Sequence, residues 1–165
     1  MSTHCYIGAT SPDNPHLVHA RFVLFDGHPA VVLPTLAAIW VGYAQHDTRM
    51  LITAILAHDW EYLDPDVAAT TRSAFSGQRP VPGVGMTLAS KVDSPEPVTV
   101  FPLCHAAHLD TEWIYLIDAD TGTLAVHTSD GTRLATYHLV NCLDPGGTAR
   151  GEQPCGPRSA AGAPR

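Results

Sequence analysis

His4 to Ala9 reads as a short strand, closed by the turn cluster Ser-Pro-Asp-Asn-Pro. Residues 16–26 follow with the β-branched and aromatic run Phe22-Val23-Leu24-Phe25, which predicts a second strand ended by Asp26-Gly27-His28-Pro29. The period then changes. Leu36, Ile39, Trp40 and Tyr43 fall at i, i+3, i+4 and i+7, the stripe of an amphipathic helix. Pro34 suits the first position of that helix, where a missing N–H costs nothing; a helix starting near Ala30 would instead have to kink at Pro34. Asp47 is the expected N-cap of a second helix, in which Leu51, Ala54, Ile55 and His58 keep the spacing as far as Asp59 or Trp60. The short connection between the helices favours an antiparallel pair packed on one face of a sheet.

Residues 61–97 are rich in Pro, Gly and Ser and read mostly as surface loop, with a strand at 81–89. Val98 to Leu103 restores strand character. A β-meander follows over 112–118, 123–128 and 133–140, its turns marked by Asp-Ala-Asp-Thr-Gly and Ser-Asp-Gly. A hairpin at Asp130-Gly131 would pair Val126 with Ala135 and Leu124 with Tyr137. Beyond Leu143 almost no large apolar side chain remains to offset the entropy of ordering. The expected organisation is one α+β domain over residues 2–142, an antiparallel sheet carrying two helices on one face, and a disordered tail over 143–165.

Composition narrows the function classes. The chain has 165 residues, 45% of them hydrophobic and 15% charged, enough for one core and too few charges for a disordered chain. No apolar run approaches the roughly 18 residues of a membrane span. Sixteen acidic residues against nine basic ones give a net charge of −7, which disfavours direct binding to nucleic acid. Cysteines 5, 104, 142 and 155 show no C-x-x-C spacing, and the first residues carry no secretory pattern, so a reduced, cytoplasmic protein is expected.

Ten histidines invite metal chemistry. Cys104-His105-Ala106-Ala107-His108 offers the ligand types zinc prefers, provided a helical turn puts both imidazoles on one side. No cofactor is otherwise expected. Cys5 would need a base and an activating environment to act as a nucleophile. Asp118-Ala119-Asp120-Thr121-Gly122 has the start of a calcium loop, but Ser129 stands where its closing glutamate belongs, so a hairpin turn is expected. The acids Asp59, Glu61, Asp64 and Asp66 beside Trp60 and Tyr62 could receive a basic partner. Asp26 and His28 at the strand-to-helix turn, with Asp59 and Trp60, are the candidate ligand- or partner-binding residues.

Two resemblances bear on function. His58-Asp59 after the helical run LITAIL resembles the HD phosphohydrolase signature, which implies a metal-dependent hydrolase using His and Asp ligands; that family is all-helical, whereas this chain turns to strands and loops. Ser2-Thr3, Ile7-Gly8, Phe25-Asp26-Gly27-His28-Pro29, Thr35-Leu36 and the later Trp113–Asp118 run resemble small uncharacterised proteins of phages and mobile elements. Where those proteins have glycines at the helix onset, this chain has Val31, Val32, Leu33 and Pro34, which argues against a phosphate cradle. The resemblance implies an accessory or interaction protein that binds a protein or small ligand. An acidic inhibitor of a nucleic-acid-binding or defence protein would fit the charge.

Overall fold

The computed structural model describes residues 3–88 and 97–143. Two α-helices, two 3-10 helices and a nine-stranded, mostly antiparallel sheet make up the fold among these residues. The strands are β1 (Cys5–Thr10), β2 (Leu17–Val23), β3 (Trp60–Leu63), β4 (Pro80–Val81), β5 (Gly85–Thr87), β6 (Thr99–Pro102), β7 (Trp113–Asp118), β8 (Thr123–Thr128) and β9 (Arg133–His138). Their order is β4-β5-β3-β2-β1-β7-β8-β9, with β6 on the edge of β2 that β3 also reaches.

Strands β1 and β2 form the expected antiparallel pair, Cys5 opposite Val23 and Thr10 opposite Val18. A purely antiparallel sheet was expected, but two pairings are parallel: β1 with β7, Cys5 opposite Trp113, and β2 with β3 at Val23 and Trp60. Both join segments far apart in sequence, so no local turn signal could announce them. The β8–β9 register matches the expectation, with Leu124 opposite Tyr137 and Val126 opposite Ala135, and a bulge follows at His127. Gly131 takes a positive φ in this turn. At the other turn, the Asp118 carboxylate accepts the Asp120 and Thr121 N–H groups, which closes the β7–β8 connection as a turn rather than a calcium loop.

Helix α1 runs Pro29–Gly42, so Pro34 lies inside it and Pro29 takes the first turn. His28 supplies the start signal by accepting the Ala30 N–H. Helix α2 runs Thr48–Leu56, capped as expected by Asp47, whose carboxylate accepts from Arg49 and Met50. It stops short of Asp59 and Trp60 because Trp60 leaves the helix to begin β3, where Leu24 N–H bonds its carbonyl at 3.0 Å. Strand β3 reaches into the loop expected over 61–97, and the strand expected at 81–89 is present as β5, separated by a turn from β4, with Val84 and Met86 buried. The end of the strand expected at 81–89 and nearly all of the tail expected over 143–165 lie outside the described residues. Leu143 itself closes the second 3-10 helix, Leu139–Leu143.

Alternation of side chains along the strands produces two apolar clusters. One joins Leu36, Ile39, Leu51 and Ile55 of the helices to Ile7, Val23, Trp60, Tyr115, Ile117 and Leu124. The other gathers the alternate positions Val18, Ala20, Ile114 and Leu116 under Phe101 and Ala106, the latter from the first 3-10 helix, Leu103–His108. No helix among the described residues is long and apolar enough to cross a membrane.

Candidate functional site

The strand-to-helix turn is held from below. Gly27 N–H donates to Thr3 carbonyl at 2.9 Å, and the Tyr115 hydroxyl donates to Gly27 carbonyl at 2.6 Å. A Cβ at Gly27 would sit 2.7 Å from the Thr3 carbonyl oxygen, so only glycine fits this approach. Asp26 precedes it at φ 61°, a left-handed conformation that aspartate adopts more readily than most residues. The turn is therefore a fixed platform, and what it presents to solvent is set by the backbone.

On that platform lies a small open groove. Val23 and Val32 form its buried floor, Thr35 and Leu63 its half-buried sides, and Phe25, Asp26 and Val31 its exposed rim. Phe25 is 38% exposed and Val31 42%. Asp26 forms no hydrogen bond or ion pair with the described residues. The capping role open to its carboxylate falls instead to His28, whose Nδ1 accepts the Ala30 N–H at 3.2 Å while its ring meets Trp113 edge-on at 5.8 Å.

The start of α1 offers no anion site. Pro29 has no N–H, Ala30 donates to the His28 ring, and Val31 and Val32 both donate to the His28 carbonyl, at 2.9 and 3.0 Å. The donors that normally hold a phosphate at a helix N-terminus are already engaged.

The second pair of candidates, Asp59 and Trp60, occupies a different environment. Trp60 is fully buried, and its indole N–H donates to the Ile55 carbonyl at 2.9 Å. This corrects its assignment as a partner-binding residue: it is a core side chain that anchors β3 beneath α2. The Asp59 carboxylate accepts the Phe22 N–H at 3.1 Å and lies 3.8 Å from the Arg21 guanidinium. Arg21, only 4% exposed, also donates to the Leu56 carbonyl at 2.7 Å, at the last turn of α2, where a cation complements the helix dipole. Burial, then the positive charges of Arg21 and Arg79, push the His58 imidazole below its ordinary range against the opposing pull of Asp59. Its ring packs edge-on against Trp60 at 5.6 Å. His58-Asp59 thus acts as a helix-to-strand corner.

The zinc candidates Cys104, His105 and His108 lie on the first 3-10 helix, whose three-residue turn brings the two imidazoles together, ring centroids 6.2 Å apart. Among the described residues no three His, Cys, Asp or Glu side chains converge to hold a metal ion. Cys104 is exposed. Cys5 is buried, and burial pushes its thiol far up, away from the thiolate a nucleophile needs.

Residues that sequence reasoning passed over complete both places. Arg21 was a lone cation in an apolar run, which is the signal of a buried charge with a dedicated partner. Val31 is one of several apolar residues at the helix onset, and nothing local distinguishes it as the one facing solvent. Comparisons with protein-family models, curated proteins and solved structures found no match.

Proposed function

We propose that this chain is a non-enzymatic accessory or interaction protein, of the kind found in phages and mobile elements, and that it acts in the cytoplasm by binding a protein partner. One observation carries the reading: the rigid turn at 26–28 displays Phe25 and Val31 to solvent around a groove instead of burying them. Apolar side chains fixed in exposed positions are what an interface supplies to a partner. The groups that could have done chemistry support the same conclusion by their engagement. Asp59 serves Phe22 and Arg21, His28 caps α1, and Trp60 fills the core.

The scaffold is read in the same terms, with α1 and α2 layered on one sheet face and β7, β8 and β9 as a closing meander. The single apolar cluster that unites both helices with Ile7, Tyr115 and Leu124 supports this. The acidic balance suits a partner with a basic surface, such as a nucleic-acid-binding or defence protein.

Affinity capture from a host lysate tests the reading. The native chain is expected to retain a protein that the Phe25→Ser/Val31→Ser variant, equally folded by circular dichroism, does not retain. The competing hydrolase reading predicts stoichiometric divalent metal in the purified protein, lost on His58→Ala/Asp59→Ala replacement. That result would overturn the interaction reading.

A further inference from the structure

Strand β9 ends the sheet: β8 pairs with one side of it, and no described strand pairs with the other. The Leu139 N–H donates to the Gly122 carbonyl at 3.0 Å, which sets the phase of the ladder. Tyr137 and Ala135 therefore turn their backbone groups toward Leu124 and Val126, whereas Thr136 turns its N–H and C=O outward and His138 its N–H. The ladder then steps from Ala135 to Arg133, which leaves Leu134 as the extra residue of the bulge, 53% exposed. An uncovered edge of this kind is a template for another strand.

The other free edges are guarded, and this one is not. Strand β4 is two residues long and opens on Pro80, and β6 ends on Pro102. Short length and proline are what keep an edge from pairing. Residues 131–143 contain no Pro, Lys, Asp or Glu. The nearest acid, Asp130, is turned back onto the Thr132 N–H at 3.0 Å in the hairpin turn. Two copies of a chain with net charge −7 repel each other, and they do so least where acidic side chains are missing.

We infer that β9 pairs antiparallel with β9 of a second copy, across a two-fold axis at Thr136. Outward groups must meet outward groups, so Thr136 exchanges N–H and C=O with its own counterpart and Leu134 lies opposite His138. The register is self-complementary: the Thr136 side chains form a favourable cross-strand pair, and Leu134 is covered instead of facing water. Because the same edge serves both copies, the contact closes at two chains. A single short strand from each copy makes a small interface, so the dimer belongs to the weak, concentration-dependent class. It is independent of the interaction reading above, which concerns the turn at 26–28.

Sedimentation equilibrium of the full chain, from micromolar to millimolar concentration, is expected to show the mass rising from one chain toward two. At the upper concentration hydrogen exchange should slow at the Thr136 and His138 amides and stay unchanged at Phe25 and Val31. Thr136→Pro removes an outward donor without touching the β8 ladder, and should abolish the dimer. Leu134→Lys alters a side chain already in solvent, keeps the native circular dichroism, and should weaken the dimer by about tenfold or more, since a charge replaces the apolar contact. This second variant decides the matter if the proline variant fails to fold. A single chain at every concentration overturns the inference. So does a dimer that Leu134→Lys leaves intact, one whose slowed amides lie outside β9, or a mass that rises past two chains.

Discussion

Asp26 and Asp59 occupy equivalent kinds of place, one where a strand passes into a helix and one where a helix passes into a strand. Their surroundings reverse their roles. Asp59 is drawn into the fold, bonded to the Phe22 N–H and set beside a nearly inaccessible guanidinium that in turn serves the end of α2. Asp26 is held on a left-handed backbone with its carboxylate facing solvent, because His28 has taken over the capping of α1. The difference teaches that a residue type at a junction does not determine its use. What decides is whether a backbone donor remains unmet within reach, since a buried donor left unpaired costs more than a surface carboxylate gains.

This contrast can be broken from either side. The largest effect is expected at the Asp59 corner, where Trp60→Ala removes a fully buried side chain and its indole hydrogen bond and should cost about 3–5 kcal/mol in urea unfolding. A loss below about 1 kcal/mol would show that the corner does not anchor β3. Asp59→Ala leaves the Phe22 donor without its side-chain acceptor and Arg21 without its carboxylate, for an expected loss of about 1–3 kcal/mol. On the other side, His28→Ala removes only the α1 cap, with an expected cost of about 1 kcal/mol by the same measurement.

A pH-dependent effect separates buried from exposed groups further. His58 and His127 both titrate below their ordinary range, chiefly through burial, with Arg21 acting on the first and Arg133 on the second. Their folded forms resist protonation while the unfolded chain takes up protons near pH 6.5, so their stabilisation is complete above about pH 6.5 and is lost as the solution is acidified toward the lower folded values. His127 is only 5% exposed, and its Nδ1 meets no hydrogen-bond partner among the described residues. His127→Leu should therefore flatten the fall in urea midpoint between about pH 7.5 and pH 5. An unchanged slope would assign the acid sensitivity elsewhere. The smallest effect is expected at the groove itself, where Asp26→Asn should shift stability by no more than about 0.5 kcal/mol. A larger loss would mean that the carboxylate has a structural duty and the two aspartates are alike after all.

The parts legible in the sequence were those fixed by near neighbours. Asp47 announced its helix because an N-cap is decided within three residues, and the Leu124–Tyr137 register followed from an Asp-Gly turn between alternating strands. Trp60 was misread because the helical spacing of Leu51, Ala54, Ile55 and His58 continues toward it, while the force that removes it from the helix is a distant pairing with Val23. Pro34 fits either a helix start or the interior of a helix begun near Ala30, and the spacing of the apolar residues does not separate the two; the structure has the second, with His28 capping the start. Of the candidate site, the turn at 26–28 was visible from its Asp-Gly-His-Pro punctuation. Leu63 and Thr35 were not, because a groove is made by segments that meet only after folding.

The parallel pairing of β1 with β7 carries a cost during synthesis. Cys5 lies beside Trp113 in the finished sheet, so more than half the chain must leave the ribosome before that edge of the first strand meets its neighbour. Closing so long a loop slows folding and leaves a sticky backbone edge exposed in the interval. A nascent chain arrested before Trp113 would carry that edge uncovered, and would depend on chaperones to keep it from joining other growing chains.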